Sequence, residues 1–352
     1  MLKKILSWFQ AWLGQSPLPK SAANDRHYPV YVEYPNEITI PLPGITADTL
    51  MYIFPLQADY DRLLQVCNQR LNAVIKDQSV QFYPLTHHVL GVMSHIRKGY
   101  KAEKDYPKPG LGSEKAFQLF MPVAECTKNQ AGQWVAQRIM LFVPYILVDN
   151  PFNVVTGREE VGFPKSSAIV TIPEDPKQAE HLQVDAFGFK IFDAEHPKYS
   201  EYQTWLTIDR IEAGQSSSAS PSWSTHSEAW EAVQHTFERI PHPEFRVHLP
   251  FLIQELKDLL ARRVDMVFLK QFRDSADPSK ACYQAIIESP GTVNKFHQGW
   301  WLPGKYEVVF DDLASFPIKK ELGLADRIEV NTAFWCNIDM GFPCGREIYR
   351  AS

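Results

Sequence analysis

Residues 156–167, TGREEVGFPKSS, set Lys165 directly after Pro164. A lysine amine attacks a carbonyl only when it is unprotonated. With an ordinary pKa of about 10.4, roughly one lysine in a few thousand is neutral at pH 7. Burial among apolar groups favours the neutral form. The flanks here are apolar: IMLFVPYILV at 139–148 and AIVTI at 168–172. A neutral lysine condenses with a ketone, and the iminium draws electrons from the adjacent carbon. Decarboxylation, aldol cleavage or dehydration can then proceed through an enamine. Pro164 fixes its own φ and holds Phe163 extended, which restrains the lysine. Arg158 and Glu159 offer a fixed charge pair beside it. Spacing alone does not decide, because a lone lysine in a loop is more often simply solvated.

The elements that must position Lys165 read as strands. Asp59 caps a helix in which Leu63, Leu64, Cys67 and Leu71 keep helical spacing, after a strand at 51–56. A short strand, EITIPL, is expected at 37–42, another strand at 87–96, and a polar loop at 98–114. Phe117, Leu119, Met121 and Val123 alternate onto one face. Glu125 has the same parity, so a carboxylate should point to the apolar side. The run 139–148 suits a strand buried on both faces. Further strands are expected at 168–173, 182–192, 203–211, 264–272, 282–293 and 305–310. Residues 214–222, GQSSSASPS, introduce a helical insertion over 214–262. Many strands and few helices predict a mainly β (α+β) domain: an antiparallel sheet or barrel with peripheral helices, spanning 17–352.

Residues 1–16 read as a separate amphipathic helix. At about 100° per residue, Leu2, Ile5, Leu6, Phe9, Trp12 and Leu13 share one face, opposite Lys3, Lys4, Ser7 and Gln10. Docking on the chain's own domain or on a neighbouring subunit is the preferred reading. Peripheral membrane contact through residues 1–15 is the other.

Composition removes several classes. The 352 residues carry a net charge of −5, and no basic run offers a face to nucleic acid. No apolar run approaches the ~18–20 residues of a membrane span. Five cysteines without a CxxC pair suit reduced thiols in the cytoplasm. No P-loop, GxSxG or HExxH is present, and the eleven histidines do not cluster at ligand spacing, so neither cofactor nor metal is expected. Trp300 and Trp301 suit a core or an interface better than a pocket.

The stretch 147–167, LVDNPFNVVTGREEVGFPKSS, resembles the acetoacetate decarboxylase family. Gly157, Arg158, Glu159, Phe163, Pro164 and Lys165 match its Gly-Arg-Glu, three variable residues, aromatic, Pro-Lys signature without a gap. The resemblance extends over roughly 45–212 and 264–352. It implies that Lys165 is the Schiff-base lysine and that Glu125, within about one position of a family active-site glutamate, joins Arg158 and Glu159 in the catalytic set. Phe163, Pro164, Ser166 and His95 are placed around the substrate. Three departures stand out. Ser166 replaces a second lysine, no arginine occurs at 47–50, and no acidic residue occurs from Gln78 to Ala102. The implied activity is a Schiff-base lyase that decarboxylates a β-keto acid or related oxo-acid, in a homo-oligomer. The alternatives are an aldolase or dehydratase on an oxo-acid, and a non-catalytic small-molecule-binding member of the family.

Overall fold

The computed structural model describes residues 28–32, 39, 41–102, 110–213, 222–225, 227–228 and 263–351. The helix expected at 1–16, and all but six residues of the insertion at 214–262, lie outside this set. Residues 1–37 and 38–352 form separate units. Of the first, only the exposed stretch 28–32 is described, and every described strand belongs to the second.

The chain runs β1 (Gly44–Gln57), α1 (Tyr60–Arg70), β2 (Gln81–Pro84), β3 (His88–Lys101), β4 (Gly112–Lys128) and β5 (Trp134–Val148). It goes on through α2 (Pro151–Glu160), β6 (Lys165–Thr171), β7 (His181–Gly188), β8 (Glu201–Glu212) and β9 (Met266–Arg273). The last elements are β10 (Ala281–Ser289), β11 (Thr292–Trp301), β12 (Lys305–Phe310), α3 (Ile318–Leu322), β13 (Ile328–Val330), β14 (Phe334–Phe342) and β15 (Arg346–Arg350). Asp59 caps α1 as expected, accepting from the Arg62 N–H.

The strands join in the order β11-β14-β1-β3-β4-β5-β6-β7-β8-β12-β13, with β2 on β4 and β9 linking β5 to β10 and β15. The protein is mainly β, as expected, but the expectation of an antiparallel barrel needs correction. The sheet stays open, and β5 pairs in parallel with both β6 and β9. Helix α2 explains the β6 pairing, because a helical crossover returns the chain in its original direction. Residues 282–293 form two strands instead of one. Pro290 lacks a ladder donor, and a Cβ on Gly291 would lie 2.8 Å from the Val264 carbonyl oxygen. The described residues of 37–42 form no strand. The polar stretch 98–114 is strand at both ends.

The sheet β1-β3-β4-β5 is apolar on both faces. Tyr52, Phe54, Met93, Phe117, Leu119, Met121, Val123 and Leu147 enter the main core. Ile53, Val92, Phe120, Val143 and Ile146 point the other way, with Phe268 of β9. A fully buried Phe117 contributes about 1.5–3 kcal/mol by burial alone. Trp300 packs on Trp335 at 4.5 Å with the rings tilted, and Trp301 and Trp223 pack edge-on, so these indoles serve packing.

Candidate active site

The 147–167 stretch is a device for placing one side chain. Asn150 caps α2, accepting from the Phe152 N–H, and Pro151 starts the helix where no N–H is needed. Six residues later Gly157 is buried against the lysine: a Cβ there would lie 2.9 Å from Lys165 Cδ and 3.1 Å from Phe163 Cδ2. Only a residue without a side chain leaves room for the lysine stem. The turn needs Gly162, whose φ is +81° and whose Cβ would lie 2.6 Å from the Lys270 Cα. The Phe163 N–H then donates to the Gly157 carbonyl at 2.9 Å. Arg158 Nη1 donates to the Lys165 carbonyl at 3.3 Å, and the Phe163 ring packs on Phe268. Lys165 becomes the first residue of β6, beside Ile146 of β5.

Lys165 Nζ donates to Glu114 Oε2 at 2.8 Å. The two side chains are 11% and 2% exposed, and the Phe163 ring centre lies 5.8 Å from the nitrogen. This pair sits in the wall of a cavity of about 330 Å³, bordered by Met51, Ile53, Val92, Phe120, Val143 and Phe268. Among the described lining residues, the charged side chains are Lys165, Glu114 and Glu160, with no arginine or histidine. Burial pushes the Glu160 carboxyl above its ordinary value, against the Leu42 N–H and the charge of Lys270. A lysine amine, a carboxylate in hydrogen-bond reach and a largely apolar cavity are parts that imine chemistry can use.

No family model matches this chain, and no curated protein matches it in sequence. Its shape does match solved structures. Acetoacetate decarboxylase from Legionella pneumophila aligns with a TM-score of 0.54 and 12% identity, over 93% of this chain and 94% of that one. The enduracididine biosynthesis enzyme MppR complexed with pyruvate aligns with a TM-score of 0.51 and 10% identity, over 90% and 95%. The chain has the acetoacetate decarboxylase fold.

Within that fold the expected site residues separate. Phe163 joins Lys165 at the cavity, and Pro164 and Arg158 lie behind it, lining a neighbouring depression. Arg158 acts on the backbone and is exposed. Glu159 is not among the cavity-lining residues; its neighbour Glu160 is. Ser166 follows Lys165 on β6 and therefore points to the opposite face. The same alternation turns His95 away, since Ser94 and Ile96 line the cavity. His95 faces Glu174 at 2.9 Å, and burial holds its pKa below the ordinary histidine value despite that carboxylate.

Glu125 is held elsewhere. Its Oε2 accepts from Arg138 Nε at 2.9 Å and Nη2 at 2.7 Å, and Arg138 also donates to Glu288. Eleven residues of extended β4 separate Glu125 from Glu114, on the order of 30 Å. Parity puts Glu125 on the face of Phe117, Leu119, Met121 and Val123, and that face is the main core, so neither parity nor the family resemblance brings Glu125 to the lysine. The cavity face carries Glu114, Gln118 and Phe120. Glu114 was hidden because it ends the polar stretch 98–114. Its even spacing to Gln118 and Phe120 was the signal available.

Among the described residues no group of three or more His, Cys, Asp or Glu could hold a metal ion, and no helix is long and apolar enough to cross a membrane.

Proposed function

We propose that this protein is a lysine-dependent Schiff-base enzyme that decarboxylates a 3-oxo acid. The observation that carries the reading is the Lys165–Glu114 pair at the wall of an apolar cavity. Glu114 takes a proton from the ammonium, and the freed amine adds to the ketone carbon. Loss of water leaves an iminium. The bond to the carboxylate carbon breaks, its electron pair moves into the enamine, and carbon dioxide leaves. A proton returns to carbon, and water releases the methyl ketone and the amine. Glu114 sits where it can carry both the proton taken from nitrogen and the one returned. Imine formation consumes a single amine, that of Lys165, so the reaction is written with Ser166 in place of a second lysine.

Carbon dioxide release from a panel of 3-oxo acids, measured for the wild type and for Lys165→Ala, tests the reading. Release that disappears in Lys165→Ala supports it. Release that persists in that variant rules it out.

A further inference from the structure

Pairing register lays one row of side chains across the sheet from the lysine. Lys165 of β6 faces Ile146 of β5, and Ile146 faces Gln118 of β4. Gln118 faces Val92 of β3, Val92 faces Ile53 of β1, and Ile53 faces Phe334 of β14. All six line the cavity. Strands lie about 4.8 Å apart, so the row runs roughly 24 Å from the backbone of β6 to that of β14. Beyond the amide of Gln118 it is wholly apolar.

Charge in the cavity points the same way. Its walls hold one lysine, two carboxylates and, among the described residues, no arginine. A 3-oxo acid brings one carboxylate to the lysine end and loses it as carbon dioxide. A second carboxylate on the tail would meet either hydrocarbon or glutamate, and an ion left unpaired in apolar surroundings is costly.

From this row and this charge balance we infer that the substrate is a monocarboxylic 3-oxo acid with an unbranched aliphatic tail longer than that of acetoacetate. The inference rests on the Schiff-base reading above and specifies its substrate class. At the roughly 30 Å³ that one water molecule takes in the liquid, 330 Å³ has room for about eleven groups of that size. That matches a chain of about eight carbons, with its tail along Val92 and Ile53.

Two measurements test it separately from the lysine chemistry. In the wild type, kcat/KM for carbon dioxide release from the four-, six- and eight-carbon 3-oxo acids should rise three- to fourfold per methylene, on the order of 100-fold overall. A terminal carboxylate on the six-carbon chain should lower it at least tenfold. In Lys165→Met, which cannot form an imine, calorimetry with four- to eight-carbon methyl ketones should show the same rise in affinity with tail length. Acetoacetate as the best substrate, or affinities in Lys165→Met that do not depend on tail length, would overturn the inference. Affinity that rises with tail length, in a wild type that releases no carbon dioxide, would overturn the Schiff-base reading and leave the cavity preference standing.

Discussion

Strand β4 carries two acids with opposite fates, one buried and one half-buried. Near its start, Glu114 holds one lysine beside a cavity. Near its end, Glu125 holds Arg138, which also binds Glu288, itself paired with Arg346. An arginine never gives up its proton, and its planar fork suits a closed, fully bonded network. A lysine is a single point charge that can become a nucleophile. Chemistry needs the pair that can come apart next to empty space; architecture needs the one that cannot. A buried carboxylate therefore becomes a site only through its partner and through what lies beyond it.

Breaking either pair should separate the two roles. Glu114→Gln should slow imine formation by roughly 10²- to 10³-fold, read by stopped-flow trapping of a methyl ketone, with the denaturation midpoint close to that of the wild type. Equal loss of folding and of rate would erase the distinction. Arg138→Ala should do the reverse. It takes from Glu125 the arginine that it pairs with, leaves Glu288 with Arg346 alone of its two hydrogen-bonded arginines, and should cost about 3–5 kcal/mol of unfolding free energy in urea titrations, while adduct formation at Lys165 persists.

Gly157→Ala sharpens the geometry of the reactive pair. The added methyl falls 2.9 Å from Lys165 Cδ, so the lysine stem must move. A displacement near 1 Å should lower the rate roughly 10- to 100-fold, with little change in ketone affinity in the absence of imine. An unchanged rate would mean that α2 does not position the amine.

The smallest effect is pH-dependent. Burial opposes ionisation of Glu288, but the hydrogen bonds and charges of Arg138 and Arg346 outweigh it and hold the carboxyl below its ordinary value. A depressed folded pKa gives stability that is present above the unfolded value and lost as pH falls through the folded one. The stability gap between wild type and Glu288→Gln should thus be full at neutral pH and shrink in acid. A gap that is constant across the acid range would remove the ionic account of this network.

What the sequence made legible follows from distance along the chain. Gly157, Arg158, Phe163, Pro164 and Lys165 act on one another within nine residues, so local spacing revealed them. Glu114 lies 51 residues from its lysine, in a stretch whose polarity resembles a loop. Strand existence was mostly clear, and so was the helix capped by Asp59. Which face of β4 looks into the core was not, because β1, β3 and β5 are apolar on both faces and alternation alone cannot tell a packed face from a cavity wall. The parallel pairing of β5 was hidden in turn, since nothing in 151–160 beyond its Asn-Pro start marked α2 as a crossover helix.

The most direct test of the central claim is borohydride reduction of the protein in the presence of an eight-carbon methyl ketone, followed by peptide mapping. The expected result is one adduct, on Lys165, absent from Lys165→Arg. The rival is Lys270, whose pKa burial lowers despite the nearby Glu160 carboxylate. An adduct on Lys270 or another lysine, with Lys165→Arg reacting as fast as the wild type, would contradict the account.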